Sequence, residues 1–129
     1  MKNMTKNQVT DPIFPQCPVR NVISRLGDKW SALVLLSLDD KHPTPLRYKD
    51  LQQAIPDISQ KMLSLTLQAL EADGMVTRHA YAEVPPRVEY TLTSRALSFM
   101  PHLHALVGWA LDNLSGIVKD REAFKNRKA

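Results

Sequence analysis

Four residues, Pro56-Asp57-Ile58-Ser59, separate two segments of helical periodicity, and this short break constrains the fold more than any other feature. Before it, Leu46, Tyr48, Leu51 and Ile55 recur at helical spacing and predict a short helix from about Arg47 to Ala54. Pro56 stops that helix because it lacks an amide donor and its ring clashes with the preceding turn. After it, Ser59 can accept from the orphan amides of the next turn, so it is read as the N-cap of a helix running to Asp73, closed by Gly74. Two helices joined by so short a turn form a helix-turn-helix. Met75 to Tyr81 favours strand, and in Arg87 to Thr93 the residues Val88, Tyr90 and Leu92 alternate with polar ones, the period of a half-buried strand. Between the strands, Ala82-Glu83-Val84-Pro85-Pro86 is too proline-rich for a tight turn and predicts a stiff projecting loop. The fold class expected is therefore mostly α with a small β-wing, a winged helix-turn-helix.

The flanks fit that frame. Val19, Val22, Ile23 and Leu26 predict a short amphipathic helix from Pro18 to Leu26, ended by Gly27. Asp28 can cap a second helix, Lys29 to Leu38, which is apolar nearly all round and so reads as the buried central helix. Asp39 to Pro45 reads as a loop. Ser94 opens a long helix whose apolar stripe runs from Ala96 to Val118, too long for one small domain to cover, and this predicts a dimerisation helix. Pro101 either kinks it or is absorbed near its start. The domain reading is a flexible arm over residues 1–16, one winged-helix domain over 17–118, and a frayed basic tail over 119–129.

At 129 residues the chain is sized for one domain with a real core. The net charge of +4 is concentrated at the two ends: residues 1–61 and 119–129 each carry +3, and the middle carries −2. A mild basic excess favours an anionic partner. No apolar run approaches the roughly 18 residues of a membrane span, and residues 1–16 lack the apolar stretch of a signal peptide, so the expected location is cytoplasmic. One cysteine, Cys17, excludes an intramolecular disulfide framework and a Cys-based zinc site. His102 and His104 stand two apart on a helix and point to different faces, while His42 and His79 fall in a loop and a strand, so no metal site is expected. Ser24, Ser31 and Ser94 have no nucleophile motif around them and no Gly-rich phosphate loop is present, so neither an enzyme nor a cofactor is expected.

The second helix of the helix-turn-helix carries the candidate site. On a helical wheel Leu63, Leu67 and Leu70 share one side, and Gln60, Lys61, Ser64 and Gln68 the other. Gln can pair with adenine and Lys with guanine, Ser is tolerant, and a helix N-terminus favours phosphate. Ser59, Gln60, Lys61, Ser64 and Gln68 are thus the candidate base-reading set. Arg47 and Lys49 on the preceding helix, and Arg87 beyond the Pro85-Pro86 tip, are the candidate wing and backbone contacts. Arg87 has an alternative in a salt bridge to Glu83 or Glu89. For the isolated helix, a merely solvated face is the plainer reading; the turn and the wing beside it favour DNA. A winged helix serving as a protein-interaction module predicts an apolar or acidic outer face, which Leu65 alone supports.

Several strings resemble the HxlR family, within the winged-helix group that includes MarR-type regulators. They are Cys17-Pro18-Val19, Leu26-Gly27-Asp28-Lys29-Trp30, Leu46-Arg47-Tyr48-Lys49-Asp50-Leu51, Ile58-Ser59-Gln60-Lys61-Met62-Leu63 and Leu70-Glu71-Ala72-Asp73-Gly74. The most specific is Tyr81 to Thr93, with Val84-Pro85-Pro86-Arg87-Val88-Glu89-Tyr90 at its centre. The resemblance implies a homodimeric bacterial transcription regulator. The function expected is repression of the promoter it covers, and the apolar stripe of the last helix predicts that a dimer binds a near-palindromic duplex operator. It implies that the fourth helix enters the major groove, the wing lies beside it, and terminal helices build the dimer. Leu65 and Gln68 stand where the family often has polar and Arg residues, and Ala96 where a glycine is common.

Some family members sense oxidants or electrophiles through the cysteine before this Pro-Val, which makes Cys17 a candidate redox sensor. A small buried hydrophobe is its other reading, and the two stay open. A lone cysteine excludes an intersubunit bridge between two different cysteines. A small-molecule effector, held between the DNA-binding part and the dimer helices, is compatible with DNA binding as well.

Overall fold

The computed structural model describes residues 18–128, with side chains from Asn21 onward. The arm over 1–16 and Cys17 lie outside the described residues. The elements in chain order are α1 (Pro18–Leu26), α2 (Lys29–Asp40), β1 (Leu46–Arg47), α3 (Tyr48–Ala54), α4 (Gln60–Ala72), β2 (Val76–Tyr81), β3 (Arg87–Leu92) and α5 (Ser94–Lys128). The strands form one antiparallel sheet in the order β1-β3-β2.

The caps act as their residue types dictate. Asp28 accepts from the Ser31 amide at 3.2 Å, and Ser59 from the Met62 amide at 3.0 Å. Gly74 takes φ 72°, the left-handed conformation that closes α4 and that side chains with a Cβ rarely adopt. α2 is the central helix: Val34, Leu35 and Leu38 are buried, and it packs against α1, α3, α4, α5 and β3. Leu51 of α3, Leu63, Leu67 and Leu70 of α4, and Ala96, Met100 and Leu103 of α5 complete the core from three sides. Val76, Tyr90 and Leu92 bring one sheet face into it.

Thr93 joins the sheet to α5. Its hydroxyl donates to the Gly74 carbonyl at 2.6 Å and accepts from the Ala96 amide at 3.2 Å, so it is the N-cap of α5 and a tie to the α4–β2 turn. Farther along, His104 of α5 meets Asp39 of α2 at 2.6 Å. Arg25 of α1 pairs with Asp73 beyond α4, and this contact raises the Arg25 pKa above its ordinary value.

The structure departs from the sequence reading in three places. Leu46 and Arg47 form a third strand, paired with Tyr90 and Glu89, where the helix was expected to start at Arg47. Two residues are too few to show period-two alternation, and Pro45 hides their start. The wing sheet therefore has three strands rather than two. α2 runs two residues further, to Asp40. The expected frayed tail is instead the end of α5, helical to Lys128. After Gly116 the chain holds no Gly or Pro, and Arg127 and Lys128 lie over the Phe124 ring at 5.1 and 5.0 Å, which favours continued helix. Pro101 lies inside α5 and removes one helical amide donor there.

Candidate nucleic-acid interface

The angle between α3 and α4 is held by one phenol. The Tyr48 hydroxyl, at the first residue of α3, donates to the Gln60 carbonyl at 2.8 Å and lies 3.3 Å from the Ser64 hydroxyl. Those contacts fasten the first turn of α4 to α3 across the five-residue turn from Ile55 to Ser59. The α3 start is itself fixed, because the Arg47 amide donates to the Asp50 carboxylate at 2.9 Å. Buried Leu63, Leu67 and Leu70 then pull one side of α4 into the core and leave the other in solvent.

That solvent side carries most of the expected residues. Gln60, Lys61 and Gln68 are exposed along it. Ser59 is exposed too, but its hydroxyl is engaged in capping. Ser64 is half-buried and turned to Tyr48. Met62 and Leu65 are exposed on the same helix, Leu65 to 49%. The first turn of α4 holds no acidic residue, so its free amides present undiminished positive potential. Arg47 and Lys49 are exposed at the start of α3.

Arg87, the candidate wing contact, is half-buried just beyond the Pro85-Pro86 tip. Its guanidinium lies 3.2 Å from Glu83, 4.0 Å from Glu89, and 3.9 Å from the centre of the Tyr81 ring. The salt-bridge alternative describes its position. The same cluster raises the Tyr81 phenol above its ordinary pKa, first because the hydroxyl hydrogen-bonds the Glu89 carboxylate, then through desolvation. His79 stacks edge-on to Tyr81 with centroids 4.3 Å apart. Register puts His79, Tyr81, Arg87 and Glu89 on one sheet face, so this cluster stiffens the wing.

Two residues escaped the sequence reading. Tyr48 was counted only as an apolar position of α3, although a tyrosine whose ring is half-buried carries a hydroxyl that can tie one element to another. Arg78 of β2 lies on the opposite sheet face from Arg87, paired in register with Tyr90. It borders a groove of about 400 Å³ together with Tyr48, Ser64, Gln68 and Glu71. An arginine two residues from buried Val76 breaks the apolar alternation, and that break was its signal.

A second surface lies away from α4. On α5, Leu106, Trp109, Leu111, Leu114 and Val118 are all uncovered, Leu111 to 69% and Trp109 to 59%. Val22 and Ile23 of α1 are uncovered as well. Val107, Leu111, Leu114 and Val118 follow at spacings of four, three and four, the seam of a helix pair. Among the described residues no three His, Cys, Asp or Glu side chains gather as metal ligands. No described helix is long and apolar enough to cross a membrane.

Comparison with known proteins agrees with this geometry. An HTH-type transcriptional regulator of Methanothermobacter thermautotrophicus is 44% identical over 93 residues, covering 72% of this chain and 69% of the relative. The solved transcriptional regulator ytfH from Salmonella typhimurium superposes with TM-score 0.75 at 37% identity, covering 87% of this chain and 97% of that one. The redox regulator HypR in its reduced form superposes with TM-score 0.72 at 32% identity, covering 79% and 98%. The model of the HxlR-like helix-turn-helix matches residues 25–117, a span that contains α2 to α4, the wing and most of α5. The chain therefore belongs to the HxlR-like helix-turn-helix family, whose members are DNA-binding transcriptional regulators with a winged fold.

Proposed function

We propose that the chain binds operator DNA as a homodimer and represses the promoter it covers. One observation carries this reading: α4 presents Gln60, Lys61 and Gln68 to solvent from a helix whose first turn is free of acid. These side chains enter the major groove, with Leu65 available to a thymine methyl group. Ser59 and Ser64 set the register of α4 through capping and through Tyr48. Arg47 and Lys49 meet phosphates, and Arg87 holds the wing in shape beside them. The uncovered apolar residues of α5 and α1 form the seam between two copies, which makes the operator near-palindromic with half-sites about 10 bp apart or a small multiple of that.

The test is fluorescence anisotropy with a fragment recovered from the source genome and with random duplex. Replacing Gln60 or Gln68 by Ala is expected to cost about 1–3 kcal/mol on the recovered fragment and little on random DNA. Equal losses on both would refute base reading by these side chains.

The likeness to a redox regulator supports a thiol signal through Cys17. With one cysteine per chain, the available chemistry is a bridge to the partner's Cys17, a mixed disulfide with a small thiol, a sulfenic acid or an alkylation. Loss of operator affinity on quinone or mild oxidant treatment, abolished in Cys17→Ser, is the expected result. Equal behaviour of the two proteins would move the signal elsewhere, with a small-molecule effector next in line.

A further inference from the structure

We infer that Arg78 is a DNA-backbone contact, and that the groove it shares with α4 seats a phosphate of the operator. This rests on α4 being the reading helix. The wing holds two arginines on opposite faces of one sheet, and they have different fates. Arg87 is stacked on Tyr81 and paired with Glu83. Arg78 has no carboxylate within ion-pair distance among the described residues, although Glu71 borders the same groove.

Its placement follows from register. Val76 opposite Leu92, and Arg78 opposite Tyr90, put Arg78 on the sheet face that packs against the helices. Val76, Leu92 and Tyr90 are buried there, whereas Arg78 is exposed. The aliphatic stem can cover the edge of that apolar face while the guanidinium stays in water beside Gln68 and Ser64. A duplex lying on the exposed side of α4 would therefore run its backbone past Arg78. A guanidinium can hold two phosphate oxygens at once through its planar fork. Phosphate contacts set register and orientation without reading sequence, so Arg78 would fix how deep Gln68 reaches into the groove. Glu71, across the groove, repels the same phosphate and tempers the affinity.

The experiment compares Arg78→Ala, Arg78→Lys and Glu71→Gln with wild type, on the recovered fragment and on random duplex, between 50 and 200 mM salt. One lost phosphate contact lowers the slope of log affinity against log salt by about one unit, so over this range wild type should weaken roughly 3.5-fold more than Arg78→Ala. Arg78→Ala is expected to weaken both DNAs alike, Arg78→Lys to keep the slope, and Glu71→Gln to tighten both. Should Arg78→Ala fail to fold by circular dichroism, Arg78→Gln carries the same test. An unchanged slope in Arg78→Ala, with operator binding still weakened by Gln68→Ala, overturns the contact and leaves the reading helix intact. If Gln60→Ala and Gln68→Ala also leave binding unchanged, the reading of α4 itself has failed, and Arg78 with it.

Discussion

Replacing Thr93 by valine removes two hydrogen bonds while keeping the branched shape of the side chain. The first is the cap on α5, the acceptance from the Ala96 amide at 3.2 Å. Losing such a cap costs about 1 kcal/mol. The second is the 2.6 Å donation to the Gly74 carbonyl, at a part-buried position. A lost bond of this kind adds about 0.5–1.5 kcal/mol. The hydroxyl's third contact, a longer 3.2 Å one to the Met75 carbonyl, shares the proton given to Gly74, and that carbonyl keeps its bond from the Thr93 amide at 3.1 Å, so it adds little. The sum is about 2 kcal/mol, or roughly 8 °C in melting temperature for a domain of this size. Thermal and urea unfolding at one fixed protein concentration measure it, because association would otherwise shift the apparent stability. Thr93→Ser keeps both bonds and is expected to stay within about 1 kcal/mol of wild type. A Thr93→Val protein within about 0.5 kcal/mol of wild type would refute the reasoning, since neither bond would then be contributing.

Tyr48→Phe is expected to cost about 1 kcal/mol in urea unfolding, and to weaken operator binding without altering its salt slope, because the phenol orients α4 rather than meeting phosphate. Leu111→Glu combined with Leu114→Glu is expected to sediment as a monomer at micromolar concentration and to lose operator affinity; a dimer that persists would place the seam elsewhere. Tyr81 is expected to ionise above the ordinary phenol range in an absorbance titration at 295 nm, and Glu89→Gln to bring it back. The sign follows from linkage: a raised folded pKa makes the wing's contribution to stability full below the ordinary phenol value and lost as pH rises through the raised one.

The parts of the fold that were legible in sequence are those governed by neighbours along the chain. Asp28, Ser59 and Gly74 act within a turn of their own positions, so their residue types announce the helix ends. The polar face of α4 was legible for the same reason, since Gln60, Lys61 and Gln68 need only helical spacing to share a side. Contacts across the chain were not. The strand at Leu46 exists because Tyr90 and Glu89 come to meet it. Ser64 could be placed on the outer face by its angle on the wheel, but its turn toward Tyr48 depends on the α3–α4 angle. Arg87 could be placed beyond the Pro85-Pro86 tip and within reach of Glu83, but its stacking on Tyr81 depends on how the two strands pair. The end of α5 was misread because a run of charges resembles a solvated tail, although the same residues are good helix formers.

Helix α5 is held very unevenly along its length. Ala96, Met100 and Leu103 are sunk in the core, and beyond His104 and its link to Asp39 lie most of the exposed apolar residues of the helix. At 35 residues the helix is about 50 Å long at 1.5 Å per residue, more than a small domain can brace. In the proposed dimer, the energy that keeps the distal stretch ordered comes from the other subunit. Dilution would then do more than separate subunits: it would unwind the rod that sets the distance between them. Helix content in such a protein is a concentration-dependent quantity, and operator recognition inherits that dependence through a segment that need never touch DNA.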